Sequence, residues 1–239
     1  FKSIGDVKVY QYNDDSLMLH NDLYQINMAE SYWNDGIHER IAVFDLYFRK
    51  MPFNSGYAVF NGLKRVVNFI ENFGFTNEDI TYLKSIGYEE DFLNYLKDLK
   101  FTGNIKSMQE GEICFGNEPL LRVEAPLIQA QLIETILLNI INFQTLIATK
   151  ASRIRQIATH DTLMEFGTRR AQEIDAALWG ARAAFIGGFD STSNVRAGKL
   201  FNIPVSGTHA HALVQTYGDE YIAFKKYAER HKNCVFLVD

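Results

Sequence analysis

Two histidines, His209 and His211, are separated by one alanine in the segment Ser206–His211 (SGTHAH). A short apolar run precedes this segment and a helical pattern follows it, which predicts a turn between a strand and a helix. On such a turn an imidazole can act as a nucleophile, or donate to an anion held at the start of the helix. Two other interpretations stay open: a structural histidine bonded to a carbonyl oxygen, and a histidine pair that binds a metal with a further ligand.

Two further turns of similar chemistry come earlier, each again between an apolar run and a helical pattern. Residues 165–170 (EFGTRR) offer two arginines as clamps for a carboxylate or phosphate, and Phe166 as a wall that stacks on a ring. The alternative is that the arginines are surface charges and Phe166 belongs to the core. Residues 187–194 (GGFDSTSN) would cap the next helix at Asn194 while presenting hydroxyl and N–H groups outward. This chemistry suits an anionic, phosphate-bearing ligand.

The elements that must position these turns repeat as strand, loop and helix. Strands are predicted near 162–166, at 184–187 (a strand or a tight turn), at 203–206 and at 234–238. Helices are predicted over 172–185, 194–201 and 210–231. Because active sites collect at the carboxyl ends of parallel strands, the pattern favours part of an irregular β/α barrel of the TIM type. A closed barrel needs more strands than these.

The first half of the chain mixes helices and strands without such a repeat. Residues 1–15 have the composition of a polar lead-in. Asn21 or Asp22 is placed to cap the first helix. The predicted elements are helices at 19–35, 59–72, 77–85 and 89–99, a strand at 41–50, and a small antiparallel sheet within 101–124.

A domain boundary is predicted at Ala125-Pro126, where the glycine-punctuated strands give way to a long apolar stretch. That stretch, 127–159, indicates a buried pair of helices, because Asn139 and Asn142 interrupt it weakly. The sequence therefore predicts an α/β protein with an N-terminal α+β domain over 1–125 and a β/α barrel portion over 126–239.

The bulk composition is that of an ordinary globular protein. The chain has 239 residues, 47% of them hydrophobic and 22% charged, with a net charge of -5. A negative charge without a dense Lys/Arg run argues against a nucleic-acid partner. No apolar run near the ~18 residues of a membrane span is apparent, and no signal peptide opens the chain. The two cysteines, Cys114 and Cys234, are expected to be buried thiols, which indicates a reducing, cytoplasmic location.

Taken together, four ordered motifs resemble the nicotinate phosphoribosyltransferase family in its bacterial form. They are residues 21–33 (NDLYQINMAESYW), 44–63 (FDLYFRKMPFNSGYAVFNGL), 165–198 (EFGTRRAQEIDAALWGARAAFIGGFDSTSNVRAG) and 203–215 (IPVSGTHAHALVQ). The resemblance implies a type II phosphoribosyltransferase fold. It also implies transfer of ribose 5-phosphate from phosphoribosyl pyrophosphate to nicotinate, giving nicotinate mononucleotide and pyrophosphate in the first step of NAD salvage. Mg²⁺ would carry the pyrophosphate, and ATP hydrolysis would be coupled through a phosphohistidine.

The resemblance also implies roles for single residues. His211 falls on the phosphorylated histidine of the family's G-T-x-A-H motif, whereas His209 occupies a variable position and receives no role. Thr208 belongs to the same motif and is expected to bind substrate. Phe166 matches an aromatic residue that stacks on the pyridine ring, and Arg169 matches an arginine near the bound carboxylate and phosphate.

Two more residues concern the other face of the ring and the choice of substrate. Tyr24 matches a tyrosine that stacks from the other subunit, which implies a homodimer. Ser193 lies near the position at which nicotinamide-using relatives carry an aspartate that accepts a hydrogen bond from the amide. A neutral serine does not repel a carboxylate, in agreement with nicotinate as the substrate.

The family's chains are longer than this one and continue into segments for metal and sugar phosphate, so the chain is expected to be an N-terminal portion. Two alternatives to the transferase remain. One is a metal-dependent barrel hydrolase that uses His209 and His211. The other is a non-catalytic fragment that binds or dimerises with a full-length partner.

Overall fold

The computed structural model describes residues 17–238, which divide into two compact units. The first unit comprises the described residues up to Asn54, together with Gly62–Gln109 and Cys114–Asn142. The second comprises Ser55–Asn61, Glu110–Ile113 and the chain from Phe143 onward. The predicted lead-in, 1–15, lies outside the described residues.

The described residues form the following elements. The strands are β1 (Ile41–Leu46), β2 (Ala58–Val59), β3 (Asn104–Ser107), β4 (Ile113–Cys114), β5 (Leu121–Pro126), β6 (Met164–Glu165) and β7 (Ser191–Thr192). The α-helices are α1 (Leu23–Asn34), α2 (Leu63–Glu71), α3 (Asn77–Ser85), α4 (Glu90–Asp98), α5 (Leu127–Ile157), α6 (Glu173–Ile186), α7 (Val195–Phe201), α8 (His211–Tyr217) and α9 (Glu220–Ala228). This content confirms the mixed α/β class.

The first unit is built on an antiparallel sheet with the strand order β1-β5-β3. The register pairs Ile41 with Pro126 and Asn104 with Glu124. Burial alternates along β5, because a strand turns successive side chains to opposite faces. The antiparallel sheet predicted within 101–124 is confirmed, and β1 adds a strand from outside that range.

The predicted boundary at Ala125-Pro126 lies at the end of β5, within the first unit. Pairing of both residues with β1 holds them to the sheet, and helix α5 begins at the next residue. The change from one unit to the other falls instead between Asn142 and Phe143, inside α5. The two units therefore do not follow the predicted ranges 1–125 and 126–239.

Helix α5 is a single helix of 31 residues, so the predicted pair of helices is wrong. The segment contains no glycine or proline, and two asparagines cost too little helix propensity to end it. Among the described residues, α5 is the helix long and apolar enough to cross a membrane by composition. Over half of its most apolar window, 56%, is buried inside the protein, and Ile128, Leu132 and Ile136 are almost fully buried. It is a core helix.

The second unit carries the predicted strand–helix alternation in short form. Strand β6 pairs in parallel with β7, and isolated parallel bridges join Thr192 to Val205 and Thr208 to Val235. No closed sheet forms among residues 17–238.

Two local predictions in the second unit are wrong. The strand predicted as one alternative at 184–187 is instead the end of α6, since the alanine-rich run continues the helix to Ile186, and Gly187 lies in the turn that follows. The chain then turns through Gly188, with φ of +104°, into β7. The helix predicted over 210–231 is two helices, α8 and α9, because Gly218 adopts a left-handed conformation between them.

Arg155, in the last turn of α5, ties that helix to the loops around β6 and β7. Its guanidinium donates to the carbonyl oxygens of Gly188 at 2.7 Å, Ala158 at 2.9 Å and Asp161 at 2.8 Å. It also pairs with the Asp190 carboxylate at 2.5 Å. These bonds hold the loops that lead into β6 and β7.

Candidate functional site

Three extended segments, β6, β7 and residues 204–206, lie side by side, and their carboxyl ends meet at one edge of the second unit. The Ser193 N–H donates to the Glu165 carbonyl at 2.9 Å, which aligns the ends of β6 and β7. Thr192 continues the pairing on its other side: its N–H donates to Pro204 O, and its carbonyl accepts from the Ser206 N–H, both at 3.0 Å. The three turns singled out in the sequence therefore start from neighbouring strand ends.

One carboxylate joins the first two of these ends through side-chain bonds. Glu165 Oε1 accepts a short hydrogen bond from the Gly167 N–H, and Oε2 accepts from the Thr192 hydroxyl at 2.7 Å. The Thr192 hydroxyl in turn accepts from the Asn194 N–H at 3.0 Å. Asn194 then caps α7 by accepting from the Ala197 N–H at 2.9 Å, as predicted for its turn. We refer to Glu165, Gly167, Thr192 and Asn194 as the Glu165 network.

The aromatic and basic residues predicted for the first turn are exposed at this edge. Phe166 keeps 40% of its surface exposed, so the alternative that it belongs to the core is wrong. Arg169 and Arg170 lie in a short 3₁₀ turn, Thr168–Arg170, that is closed by a bond from the Arg170 N–H to Gly167 O at 2.8 Å. Both arginines are exposed, which leaves their guanidinium groups accessible to an anion.

A groove of about 410 Å³ runs beside this turn within the second unit. Its wall includes Glu165 and Gly167 of the network, the two cations Lys150 and Arg170, and apolar side chains such as Phe143 and Ile147. Apolar walls with a few convergent charges are typical of sites for small organic anions. Sequence reasoning missed Lys150, because on a long helical stretch a lone lysine is indistinguishable from a solvated one.

The start of α6, at the rim of the same region, has an unusual backbone. Glu173 has φ of +72°, a left-handed backbone conformation that residues other than glycine rarely adopt. It lines a second depression of about 440 Å³ together with Thr168, Asn194 and Arg196. Strained residues of this kind concentrate at ligand sites, so the outlier supports a binding role for the edge.

Ser193 follows β7 directly and is partly exposed. Its backbone bond to Glu165 O places it next to the end of β6, from which Phe166 continues. The backbone of Ser193, which is predicted to discriminate between nicotinate and nicotinamide, thus lies beside the strand end that leads into Phe166, which is predicted to stack on the ring.

His209 is buried and both of its ring nitrogens face hydrogen-bond partners. Nε2 accepts from the Leu237 N–H at 3.1 Å, and Nδ1 lies 3.2 Å from the Ala210 carbonyl. The ring is packed against Phe224 and Phe236, with centroids 4.8 and 6.0 Å away. The structural interpretation of this histidine is therefore correct.

A metal pair at His209 and His211 does not fit this geometry. His209 Nε2 is engaged with a backbone donor, and residues 17–238 contain no group of three or more His, Cys, Asp or Glu side chains arranged to hold a metal ion. His211 instead opens α8 and is exposed, and Thr208 is exposed in the turn before it. The Thr208 hydroxyl donates to the His209 carbonyl at 3.1 Å.

Tyr24 belongs to the first unit, on α1, and 52% of its surface is exposed. Its hydroxyl accepts from Gln25 Nε2 at 3.1 Å. Gln25 is fully buried and also donates to Glu134 at 3.0 Å, while Gln131 donates to the same carboxylate at 3.1 Å. The predicted stacking residue is thus anchored by a buried polar cluster on α5.

Asp22 stands at the N-cap position of α1, but its side chain makes no cap hydrogen bond, so the prediction that this side chain caps the helix is wrong.

The chain matches the family model for the nicotinate phosphoribosyltransferase (NAPRTase) N-terminal domain over residues 19–142. It is 67% identical over 231 residues to nicotinate phosphoribosyltransferase of Bacillus subtilis (strain 168), which covers 96% of this chain and 47% of that protein. It is 47% identical over 202 residues to nicotinate phosphoribosyltransferase 2 of Arabidopsis thaliana, covering 82% of this chain and 36% of the relative. The chain thus spans about half the length, or less, of the curated relatives it matches.

Solved structures give the same comparison in three dimensions. The crystal structure of human nicotinic acid phosphoribosyltransferase aligns with a TM-score of 0.77 and 39% identity, over 82% of this chain and 40% of that one. The structure of nicotinate-nucleotide pyrophosphorylase from Pyrococcus furiosus aligns with a TM-score of 0.78 over 96% of this chain and 52% of that one. Its identity of 24% supports a shared fold alone.

Proposed function

Since the chain belongs to the nicotinate phosphoribosyltransferase family, we propose that the protein makes nicotinate mononucleotide and pyrophosphate from nicotinate and phosphoribosyl pyrophosphate. This would be the first step of NAD salvage. The observation that carries the proposal is the shared edge of the second unit, where Phe166, Arg169 and Ser193 follow adjoining strand ends. An aromatic face, a cation and a neutral hydroxyl together are suited to a planar ring with a carboxylate.

The reaction asks little acid–base chemistry of these residues. The pyridine nitrogen attacks C1 of the ribose with its own lone pair, the C1–O bond to pyrophosphate breaks, and the developing sugar cation is oxocarbenium-like. The protein must therefore hold ring and sugar in line and neutralise the departing charge. In our proposal Phe166 stacks on the ring and Arg169 takes the carboxylate. Lys150 and Arg170 add positive charge in the neighbouring groove.

His211 is the proposed site of phosphorylation by ATP. Its exposure at the start of α8 is what an in-line transfer from a bound nucleotide requires, whereas buried His209 lacks that access. A phosphoryl group on His211 would add about -1.5 to -2 charge and draw basic side chains towards the site. Thr208, exposed three residues earlier, is proposed to bind substrate phosphate.

Magnesium enters this proposal with the substrate, as the salt of phosphoribosyl pyrophosphate. Among residues 17–238, no group of three or more His, Cys, Asp or Glu side chains is arranged to hold a metal ion. The chemistry that magnesium supplies is charge neutralisation on the leaving pyrophosphate.

The finer architecture and assembly are also proposals. Parallel pairing from β6 through β7 to Val205, and from Thr208 to Val235, supports the start of a type II phosphoribosyltransferase barrel. Half-exposed Tyr24, anchored by Gln25, supports a homodimer in which it stacks on the ring bound by the partner. We place the reaction in the cytoplasm, which the free thiols of Cys114 and Cys234 support.

A non-catalytic fragment is the second candidate, favoured by the length of the chain against its relatives. One assay separates the two. Nicotinate mononucleotide formation is measured with this 239-residue chain and with the complete gene product, each with magnesium and phosphoribosyl pyrophosphate, with and without ATP. Nicotinate-dependent product in the complete gene product supports the transferase, and a lack of product with the 239-residue chain alone supports the fragment. No product from either protein would overturn the proposed function.

A further inference from the structure

We infer that Glu165 is a positioning residue, whose carboxylate sets the geometry of the pyridine site by joining the strand ends that carry Phe166 and Ser193. The inference rests on the proposed function, since it concerns how nicotinate is held. Glu165 is joined to both residues proposed to contact the ring: it precedes Phe166 in the chain, and its carbonyl accepts from the Ser193 N–H. Glu165 itself is not proposed to contact the ring.

The direction of the hydrogen bonds requires a carboxylate at this position. The Asn194 N–H donates to the Thr192 hydroxyl oxygen, which leaves the hydroxyl proton to be donated to Glu165 Oε2 at 2.7 Å. The Gly167 N–H donates to Oε1. Both oxygens are therefore acceptors, and an ionised carboxylate is the side chain that offers two acceptors and no donor. A glutamine side chain has one oxygen and one NH2 group, so its NH2 group would face either the Gly167 N–H or the Thr192 hydroxyl proton, and two donors would oppose each other.

The surroundings of this carboxylate leave no substitute for its hydrogen bond to Thr192. Thr192 is fully buried, so its hydroxyl has no water to replace a lost acceptor. A Cβ atom on Gly167 would lie 2.8 Å from Glu165 Oε1, so a larger residue at this position would require the carboxylate to shift. The network thus couples the backbone at Gly167, one residue after Phe166, to the backbone at Asn194, one residue after Ser193.

A second carboxylate joins the same two strands at their other end and supplies a control. Asp190 Oδ2 accepts from the Leu163 N–H at 2.7 Å and pairs with Arg155. Asp190 and Glu165 therefore both link β6 to β7, but Asp190 does so at the amino ends, away from the proposed pyridine contacts. Loss of either link weakens the unit, whereas only loss of Glu165 alters the turns that hold nicotinate.

The test compares Glu165→Gln, Thr192→Val, Thr192→Ser and Asp190→Asn in the complete gene product. We expect Glu165→Gln and Thr192→Val to lower kcat/KM for nicotinate by about 10- to 100-fold, the size of effect that misplacement by an ångström produces. The loss should appear in KM for nicotinate, with KM for phosphoribosyl pyrophosphate nearly constant. Thr192→Ser keeps the hydroxyl and should recover most of the activity. Asp190→Asn should lower Tm and leave KM for nicotinate unchanged.

Hydrogen exchange provides a readout that does not depend on turnover. The amide protons of Gly167 and Asn194 should be protected in the wild-type protein and exchange faster in Glu165→Gln, with little change in Asp190→Asn. Equal KM values for nicotinate in Glu165→Gln and Asp190→Asn would overturn the positioning role. An inactive wild-type protein would instead contradict the proposed function, and unprotected Gly167 and Asn194 amides would separately overturn the network itself.

Discussion

The imidazole of His209 accepts the Leu237 backbone N–H through Nε2 at 3.1 Å, which joins the Gly-Thr-His turn to the last described segment of the chain. The bond is reinforced by packing of the ring against Phe224 and Phe236. His211, two residues later, is exposed on the first turn of α8. Two histidines that look alike in the sequence therefore have different surroundings, one suited to stability and the other to chemistry.

The first prediction separates these two histidines. His211→Ala should abolish the phosphoenzyme and the stimulation by ATP, and should lower Tm less than His209→Ala does, because His211 is exposed and His209 is buried. His209→Ala should cost about 2–4 kcal/mol of stability, since it removes a packed ring and leaves the Leu237 N–H without its acceptor. Phosphoenzyme is measured with γ-labelled ATP and stability by urea unfolding. Acid-labile label that persists in His211→Ala would refute the assignment.

The second prediction concerns the choice between acid and amide. Ser193→Asp should shift preference from nicotinate towards nicotinamide by at least tenfold, because a carboxylate repels the acid and accepts a hydrogen bond from the amide. Ser193→Ala is the matched control and should leave the preference for the acid in place. The ratio of kcat/KM values for the two pyridines is the measurement. An unchanged ratio in Ser193→Asp would place the discriminating residue elsewhere.

The third prediction is a dependence of stability on acid pH that involves Asp190. The Leu163 N–H and, after it, Arg155 hold the pKa of the Asp190 carboxyl below its ordinary value of 3.8. A lowered pKa in the folded state means that the charged form contributes stability above the unfolded pKa. That contribution is lost as pH falls through the folded pKa. Tm of the wild-type protein should therefore fall more steeply than Tm of Asp190→Asn as the pH drops below the ordinary aspartate pKa of 3.8. Parallel curves for the two proteins would contradict this role.

The fourth prediction tests the close approach of α6 and α5 within the second unit. Gly187 has an ordinary helical φ of −71°, but a Cβ atom there would meet the Ala148 carbonyl and lie 2.7 Å from Ala151 Cβ. Gly187→Ala should therefore cost about 1–3 kcal/mol by overpacking. Gly56→Ala, with nothing within 4 Å of the added carbon, should cost much less. Similar unfolding midpoints for the two variants would show that the helices move apart easily.

Elements with strong local signals were predictable from the sequence. The helix predicted at about 77–85 is confirmed, and Thr76 and Asp79 form a reciprocal capping box at its start. The turns at 165–170 and 187–194 were likewise located by their composition. These features depend on neighbours within a few residues, so the chain itself contains the information.

Features that depend on contacts between distant residues were not predictable. Strand β1 pairs with β5 across about 80 positions of the chain, and neither strand specifies its partner. Strand β7 has two residues, too few for an alternation to emerge, and it lies inside the predicted turn 187–194. The bond between Glu165 and Thr192 joins two residues 27 positions apart, and nothing in their spacing indicates it.

The most direct measurement is the conversion of labelled nicotinate to its mononucleotide by the complete gene product, compared with Phe166→Ala and Arg169→Gln. If nicotinate is held at the carboxyl edge of the second unit, both variants should raise KM for nicotinate at least tenfold, with KM for phosphoribosyl pyrophosphate changed much less. Wild-type KM for nicotinate in both variants would contradict the account, because the pyridine would then bind away from Phe166 and Arg169.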